Sequence, residues 1–239
     1  MQVPDRPLHP RSSVVRYLRD MGRGKQPGLL QRALLLAMLA ACAVPASAAT
    51  LGIRVDDGRT PLPDAVIELE AAGAPAIANA RAQHVIDQKD ETFVPYLTLL
   101  RRGDSIVFRN SDYTRHHVYT FSPVHPFEFV VPSGSTSESV TFDRTGVVAI
   151  GCNIHDRMIA YVFVTEAPWA AQSDSDGNTV FEDLPPGRYV LRAWHPRLRS
   201  GGRGEQREID VPATGGAPVS VTLRVDAPPR PADRERSDY

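Results

Sequence analysis

Residues 150–161 read IGCNIHDRMIAY and place a thiol (Cys152), an imidazole (His155) and a thioether (Met158) at the spacing C-x-x-H-x-x-M. A thiolate is a soft donor, imidazole is borderline and a thioether is weak. That mixture suits copper better than the other common biological metals. One short loop does not complete a site, so a further donor has to come from another segment. The chain's adjacent pair of histidines, His116 and His117, lies upstream in a strand-like run. The rest of the sequence is read as scaffold that brings these two segments together.

The elements that must position them are strands. VVAI runs straight into Cys152, and IAYVFVT leaves the loop after Met158. HHVYTF carries the paired histidines behind a polar loop at 110–115. Around these, residues 83–88, 93–100, 105–110, 127–131 and 139–143 read as further short strands separated by turn residues. Before them, residues 51–56 and 61–70 give two strands, and 71–80 are small and featureless, as a linker is. After them, strands are expected at 179–184, 188–195, 208–211 and 219–225, with a Pro-, Arg- and Asp-rich tail at 226–239 that is expected to be disordered. Short strands at near-regular spacing predict an all-β chain of sandwich or barrel type.

Composition agrees. The chain has 239 residues, 42% hydrophobic and 23% charged, with a formal net charge of −1. That leaves room for one or two modest domains and gives no basic footprint for nucleic acid. Glycine and proline are plentiful, 17 and 21, while apolar stripes of helical period are scarce after residue 50.

The first 49 residues read as an export leader. Arg32 precedes an apolar run at 33–41, and Ala46, Ser47 and Ala48 follow as a small-residue cleavage site. Translation from Met21 gives a leader of more ordinary length. The run is too short to span a bilayer, which takes about 20 residues. LAAC, ending at Cys42, offers a second processing route, a lipid anchor on that cysteine. Ordinary cleavage removes Cys42 and leaves Cys152 as the sole thiol, which then has no internal disulfide partner. A lone thiol in an oxidising compartment calls for a use.

At this point a resemblance becomes specific. Phe108, Asn110 and His116 at the spacing F-x-N-x5-H, followed by the C-x-x-H-x-x-M loop behind a glycine and a β run, resemble a cupredoxin with a short amicyanin-like or pseudoazurin-like loop. The fuller segments NSDYTRHHVYTFSP and GVVAIGCNIHDRM are similar to periplasmic plastocyanin-like and methylamine-utilisation-protein-like chains. The resemblance covers about residues 81–166 and implies a Greek-key β-sandwich holding one type 1 copper. It implies His116, Cys152 and His155 as trigonal ligands and Met158 as the long axial one. It also implies single-electron exchange with periplasmic donor and acceptor proteins. No open coordination position is implied and no paired carboxylates or nucleophile–base set is visible in the sequence, so no enzymatic activity is expected. His117 stands where the family has asparagine. Adjacent strand residues point to opposite faces, so only one of His116 and His117 should reach the metal, and the offset from Asn110 favours His116. Arg157 and Ala160 are further departures. Arg157 puts charge into the collar around His155 and should favour Cu(I) slightly, less so in salt.

The flanks carry a second resemblance. DDGRTPLPDAVIELE (56–70) and SDGNTVFEDLPPGRYVLRAWHP (175–196) are similar to neighbouring segments of a carboxypeptidase-regulatory-like, transthyretin-like β-sandwich. Here the copper-type block separates them, which implies a sandwich made of 50–80 and 167–225 with residues 81–166 inserted. His84, His125 and His195 stand outside any ligand-spaced cluster and read as surface or structural residues. Asp174 and Asp176 around Gly177 read as a hairpin turn, since the remaining ligands of a calcium loop are missing. Besides electron transfer, two readings stay open: a copper(I) carrier or storage protein, and a structural β-module with a vestigial site.

Overall fold

The computed structural model describes residues 48–74, 81–199 and 204–227, and every helix or strand among them is a strand. The all-β expectation holds. The apolar run at 33–41, Met21, Cys42 and most of the 226–239 tail lie outside the described residues. No helix among the described residues is long and apolar enough to cross a membrane.

The strands in chain order are β1 (Ala49–Asp56), β2 (Val66–Glu70), β3 (Gln83–Lys89), β4 (Thr92–Val94), β5 (Leu97–Arg101), β6 (Ser105–Asn110), β7 (His116–Thr120) and β8 (Phe127–Val131). They continue with β9 (Val140–Thr141), β10 (Gly146–Cys152), β11 (Ile159–Thr165), β12 (Trp169–Gln172), β13 (Asn178–Leu184), β14 (Gly187–Trp194), β15 (Glu205–Val211) and β16 (Val219–Thr222). Four sheets result. The middle of the chain builds one of order β5-β11-β10-β7-β8 and another of order β4-β3-β6-β9. The two ends build the sheets β13-β1-β16 and β12-β2-β14-β15.

Two separate clusters of buried side chains match this division. Ile86, Phe108, Val118, Phe142, Ile150 and Val162 belong to the cluster between the middle sheets, which also holds Cys152 and Met158. Leu51, Ile53, Ile67, Leu69, Tyr189 and Leu191 belong to the other. The alternation is clean where it matters. In β7, His116, Val118 and Thr120 are buried while His117 and Tyr119 are half-buried, and in β10 Val148, Ile150 and Cys152 face inward. Period-2 patterning therefore decides which side chains enter the core.

The groups also touch. Trp194 of β14 packs its ring 5.2 Å from Phe163 and 6.2 Å from Tyr161, both on β11. Burial pushes the Tyr161 phenol up, and the Tyr96 phenol beside it up to about 12.

Three details depart from the sequence reading. The run 93–100 is not one strand: β4 pairs with β3 in one sheet and β5 pairs in parallel with β11 in the other. Pro95, which has no N–H to donate, stands at the crossing point. β12 was not anticipated, because WAAQ has little β-propensity of its own and is recruited by pairing with β2. The ordered chain also reaches into the expected tail, where Asp226 donates its N–H to the Arg197 carbonyl at 2.8 Å.

Candidate metal centre

Cys152 ends β10, whose neighbour is β7 in an antiparallel register that sets Cys152 opposite Val118 and Gly151 opposite Tyr119. His116 faces the same side as Val118, two residues away, so the register brings His116 diagonally across from Cys152. The Asn153 N–H to the His117 carbonyl, 2.9 Å, prolongs the ladder by one bond. The chain then turns, and the Met158 N–H donates to the His155 carbonyl at 3.0 Å, closing the loop that carries His155 back over Cys152.

One donor atom from each of His116, Cys152 and His155 lies within 4.8 Å of the other two. Cys152 Sγ is 3.7 Å from His116 Nδ1, and the two imidazole centroids are 5.1 Å apart. Two donors at about 2.0 and 2.3 Å from one ion, about 120° apart, stand about 3.7 Å from each other. The His116–Cys152 distance is that of a pair sharing one ion. The protonation pattern fits as well. His116 Nε2 is 2.8 Å from a carboxylate oxygen of Asp112, which only accepts, so Nε2 carries the proton and Nδ1 offers a lone pair to the cluster. His155 Nε2 faces Glu91 Oε1 at 3.5 Å, while His155 Nδ1 is buried with no hydrogen-bond partner. A buried, unpaired nitrogen beside a thiol and a second imidazole lone pair is a donor set that suits a soft-to-borderline ion. Met158, 2% exposed, is packed in the same core as Cys152.

Asp112 was not singled out from the sequence. Its carboxylate accepts the N–H of Asp90 at 2.6 Å, the N–H of Glu91 at 3.0 Å and the His116 Nε2–H. Burial pushes this carboxyl up, but the Glu91 N–H, the His116 ring and the Asp90 N–H together outweigh it and hold it below the usual range. Asn110 holds the loop behind it. Its amide donates to the Thr114 and Val131 carbonyls at 2.8 and 2.9 Å, and its Oδ1 accepts the Asp112 N–H at 2.9 Å. The one signal in the sequence was an aspartate four residues before His116. The partner turn at Asp90 and Glu91 gave none.

The other candidates fall elsewhere. His117 points away from the cluster, paired with Glu128 at 2.8 Å. Arg157 is exposed and Ala160 is fully buried. Ile154 and Ile159 leave exposed apolar surface on the loop, beside exposed Asp156 and Arg157. His84 pairs with buried Asp104 at 3.3 Å, and His125 packs its ring against Phe142. His195 Nε2 donates to the Pro63 carbonyl at 3.0 Å, and its Nδ1 accepts the Arg197 N–H at 2.9 Å. Asp174 Oδ1 accepts the N–H of Asp176 and of Asn178, and Gly177 takes φ +74°, which is a hairpin turn.

No protein-family model matches the chain, and no curated protein matches it. Among solved structures it is similar to amicyanin from Paracoccus versutus, at 15% identity over 41% of this chain and 98% of that one, with a TM-score of 0.32. A Cu(I) form of an amicyanin mutant matches at 17% identity over 41% and 98%, also at 0.32. A copper-containing nitrite reductase from Thermus scotoductus matches at 24% identity, covering 40% of this chain and 25% of that one, at 0.31.

Proposed function

We propose that this chain is an exported type 1 copper protein carrying single electrons between periplasmic redox partners. The observation that carries the reading is the convergence of three donor atoms, His116 Nδ1, Cys152 Sγ and a ring nitrogen of His155, with the buried His155 Nδ1 left unpaired. His116, Cys152 and His155 would hold one copper, with the Met158 thioether as a further, weak donor. Copper bound there supplies a one-electron couple, and a His2Cys set with a weak thioether lies between the preferences of Cu(I) and Cu(II). The protein's part is to keep the donors in place through the exchange. His116 and Cys152 sit on paired strands of a packed core, fully and nearly fully buried. His155 is the exit, since its Nε2 edge is turned toward the surface while its Nδ1 is enclosed.

On this reading the protein is a carrier rather than an enzyme. Residues 81–166 form the copper module, and 50–80 with 167–225 form a second β-sandwich that presents it. The separate buried clusters and separate sheets support that division. The leader motif supports export, soluble or anchored at Cys42.

The test is copper loading followed by an optical redox titration. An intense blue, reversible one-electron couple that is lost in Cys152→Ser is expected. Uptake without colour would favour a copper(I) carrier, and no uptake would favour a structural module with a vestigial site. Colour that survives Cys152→Ser would sink the assignment.

A further inference from the structure

We propose that Asp112 is the positioning residue of the centre: one carboxylate fixes the tautomer of His116 and clamps the turn that sets Glu91 against His155. The inference rests on the copper reading for its redox consequence, but its structural half concerns the metal-free chain.

Three bonds converge on this side chain. The His116 ring is fully buried, and its Nε2–H is held by the Asp112 carboxylate. Holding the proton on Nε2 is what frees Nδ1 for the cluster. The other two bonds come from the β3–β4 turn. Asp90 and Glu91 take φ of 53° and 54°, the left-handed pair that a two-residue hairpin requires. Asn-Gly is the sequence that adopts this cheaply, and neither residue here is glycine. The Asp112 carboxylate supplies the compensation by accepting both of their N–H groups, at 2.6 and 3.0 Å. The same turn carries Glu91, whose Oε1 stands 3.5 Å from His155 Nε2. One carboxylate thus bears on both histidines, on His116 directly and on His155 by holding the turn that carries Glu91. Charge donated through the His116 ring raises its basicity and favours the more highly charged metal state.

The experiment separates positioning from simple turn support. In the metal-free protein, 15N NMR should show His116 as the Nε2–H tautomer with a slowly exchanging proton. Asp112→Ala should lose both signatures. Because that variant deprives the turn of its clamp, it is also made in an Asp90→Asn, Glu91→Gly background, whose turn holds positive φ unaided. There the chain should fold normally and His116 should still lose its fixed tautomer. Retention of the Nε2–H signal in the folded triple variant overturns the proposal.

In the copper-loaded protein, Asp112→Asn keeps the shape and removes the charge. It should shift the Cu(II)/Cu(I) equilibrium about tenfold toward Cu(I), which for one electron is about 59 mV. Copper affinity should fall about 10- to 100-fold, as for other partners of metal-bound histidine. An unchanged potential alongside lowered apo stability makes Asp112 a turn clamp only, and overturns the positioning role. Failure of the wild-type chain to take up copper would count against the copper reading alone, since the tautomer measurement stands without it.

Discussion

If His155 is present for a metal rather than for the fold, removing it should not harm the metal-free protein. Its Nδ1 is buried and unpaired, and leaving such a group unsatisfied costs about 1–3 kcal/mol. Its one polar contact is the 3.5 Å approach to Glu91, an exposed carboxylate, worth about 0–1 kcal/mol. His155→Phe deletes both and keeps the ring. The apo variant should therefore match the wild type or exceed it by up to about 3 kcal/mol, and at about 2–4 °C per kcal/mol Tm stays level or rises by up to about 12 °C. His116→Phe is the contrasting control. It removes a hydrogen bond to a carboxylate inside the core, worth about 1.5–3 kcal/mol, and should lower Tm by about 3–12 °C. Free copper at about a hundred times Kd should stabilise the wild type by about 2.7 kcal/mol, and both variants should lose most of that gain. Thermal scans with and without copper, followed by near-ultraviolet circular dichroism, make the comparison. If apo His155→Phe falls as far as His116→Phe, or keeps the full copper increment, His155 is structural and the site reading fails with it.

Three further outcomes are expected. His195, neutral between the Pro63 carbonyl and the Arg197 N–H, has its pKa lowered from 6.5 to about 4 by burial and then by the Arg197 charge, against the opposing Pro63 bond. The unfolded chain therefore takes the proton first, so stability is complete above about pH 6.5 and falls toward pH 4 by on the order of 2–3 kcal/mol; urea unfolding at several pH values should show a slope that His195→Gln flattens, and an unflattened slope would assign the effect elsewhere. Gly177→Ala adds a Cβ that would stand 2.3 Å from the Val55 carbonyl oxygen and 2.9 Å from the Leu62 nitrogen at φ +74°, so a loss of about 3 kcal/mol or more by chemical denaturation is expected, and a loss under about 1 kcal/mol would contradict this packing. Met158→Leu conserves volume at a 2% exposed position and should cost less than about 1.5 kcal/mol; on the copper reading it should also shift the reduction potential of the copper-loaded protein, and an unchanged potential would count against Met158 as a donor.

The parts of this protein that were legible in its sequence are those where period and chemistry coincide. The alternation through HHVYT was enough to put His116 and His117 on opposite faces, and the structure turns His116 inward beside Val118. Glycine announced the turn at Gly177, because a positive φ next to two backbone atoms admits no side chain. The break at Pro95 was less legible. A strand that crosses from one sheet to the other leaves the same apolar run as a strand that does not. β12 was silent, since its partner β2 lies far away in sequence and supplies most of the reason for its extended form.

The turn at Asp90 and Glu91 was silent for a more instructive reason. Its left-handed backbone is normally written with asparagine and glycine, and here it is written with two acids and held by a third. Local propensity alone would make this a poor hairpin, and the loop carrying Asp112 would make no sense as a bare connection. Together they are consistent: the strain in one segment and the half-buried carboxylate in the other each satisfy what the other leaves open, and His116 is oriented as a result. Where local rules fail in two segments that meet beside a cluster of metal-type donors, the compensation between them is itself evidence of a site. In this chain that compensation runs through one side chain, so the geometry of the donors should depend on Asp112 more than on any other residue that is not itself a donor.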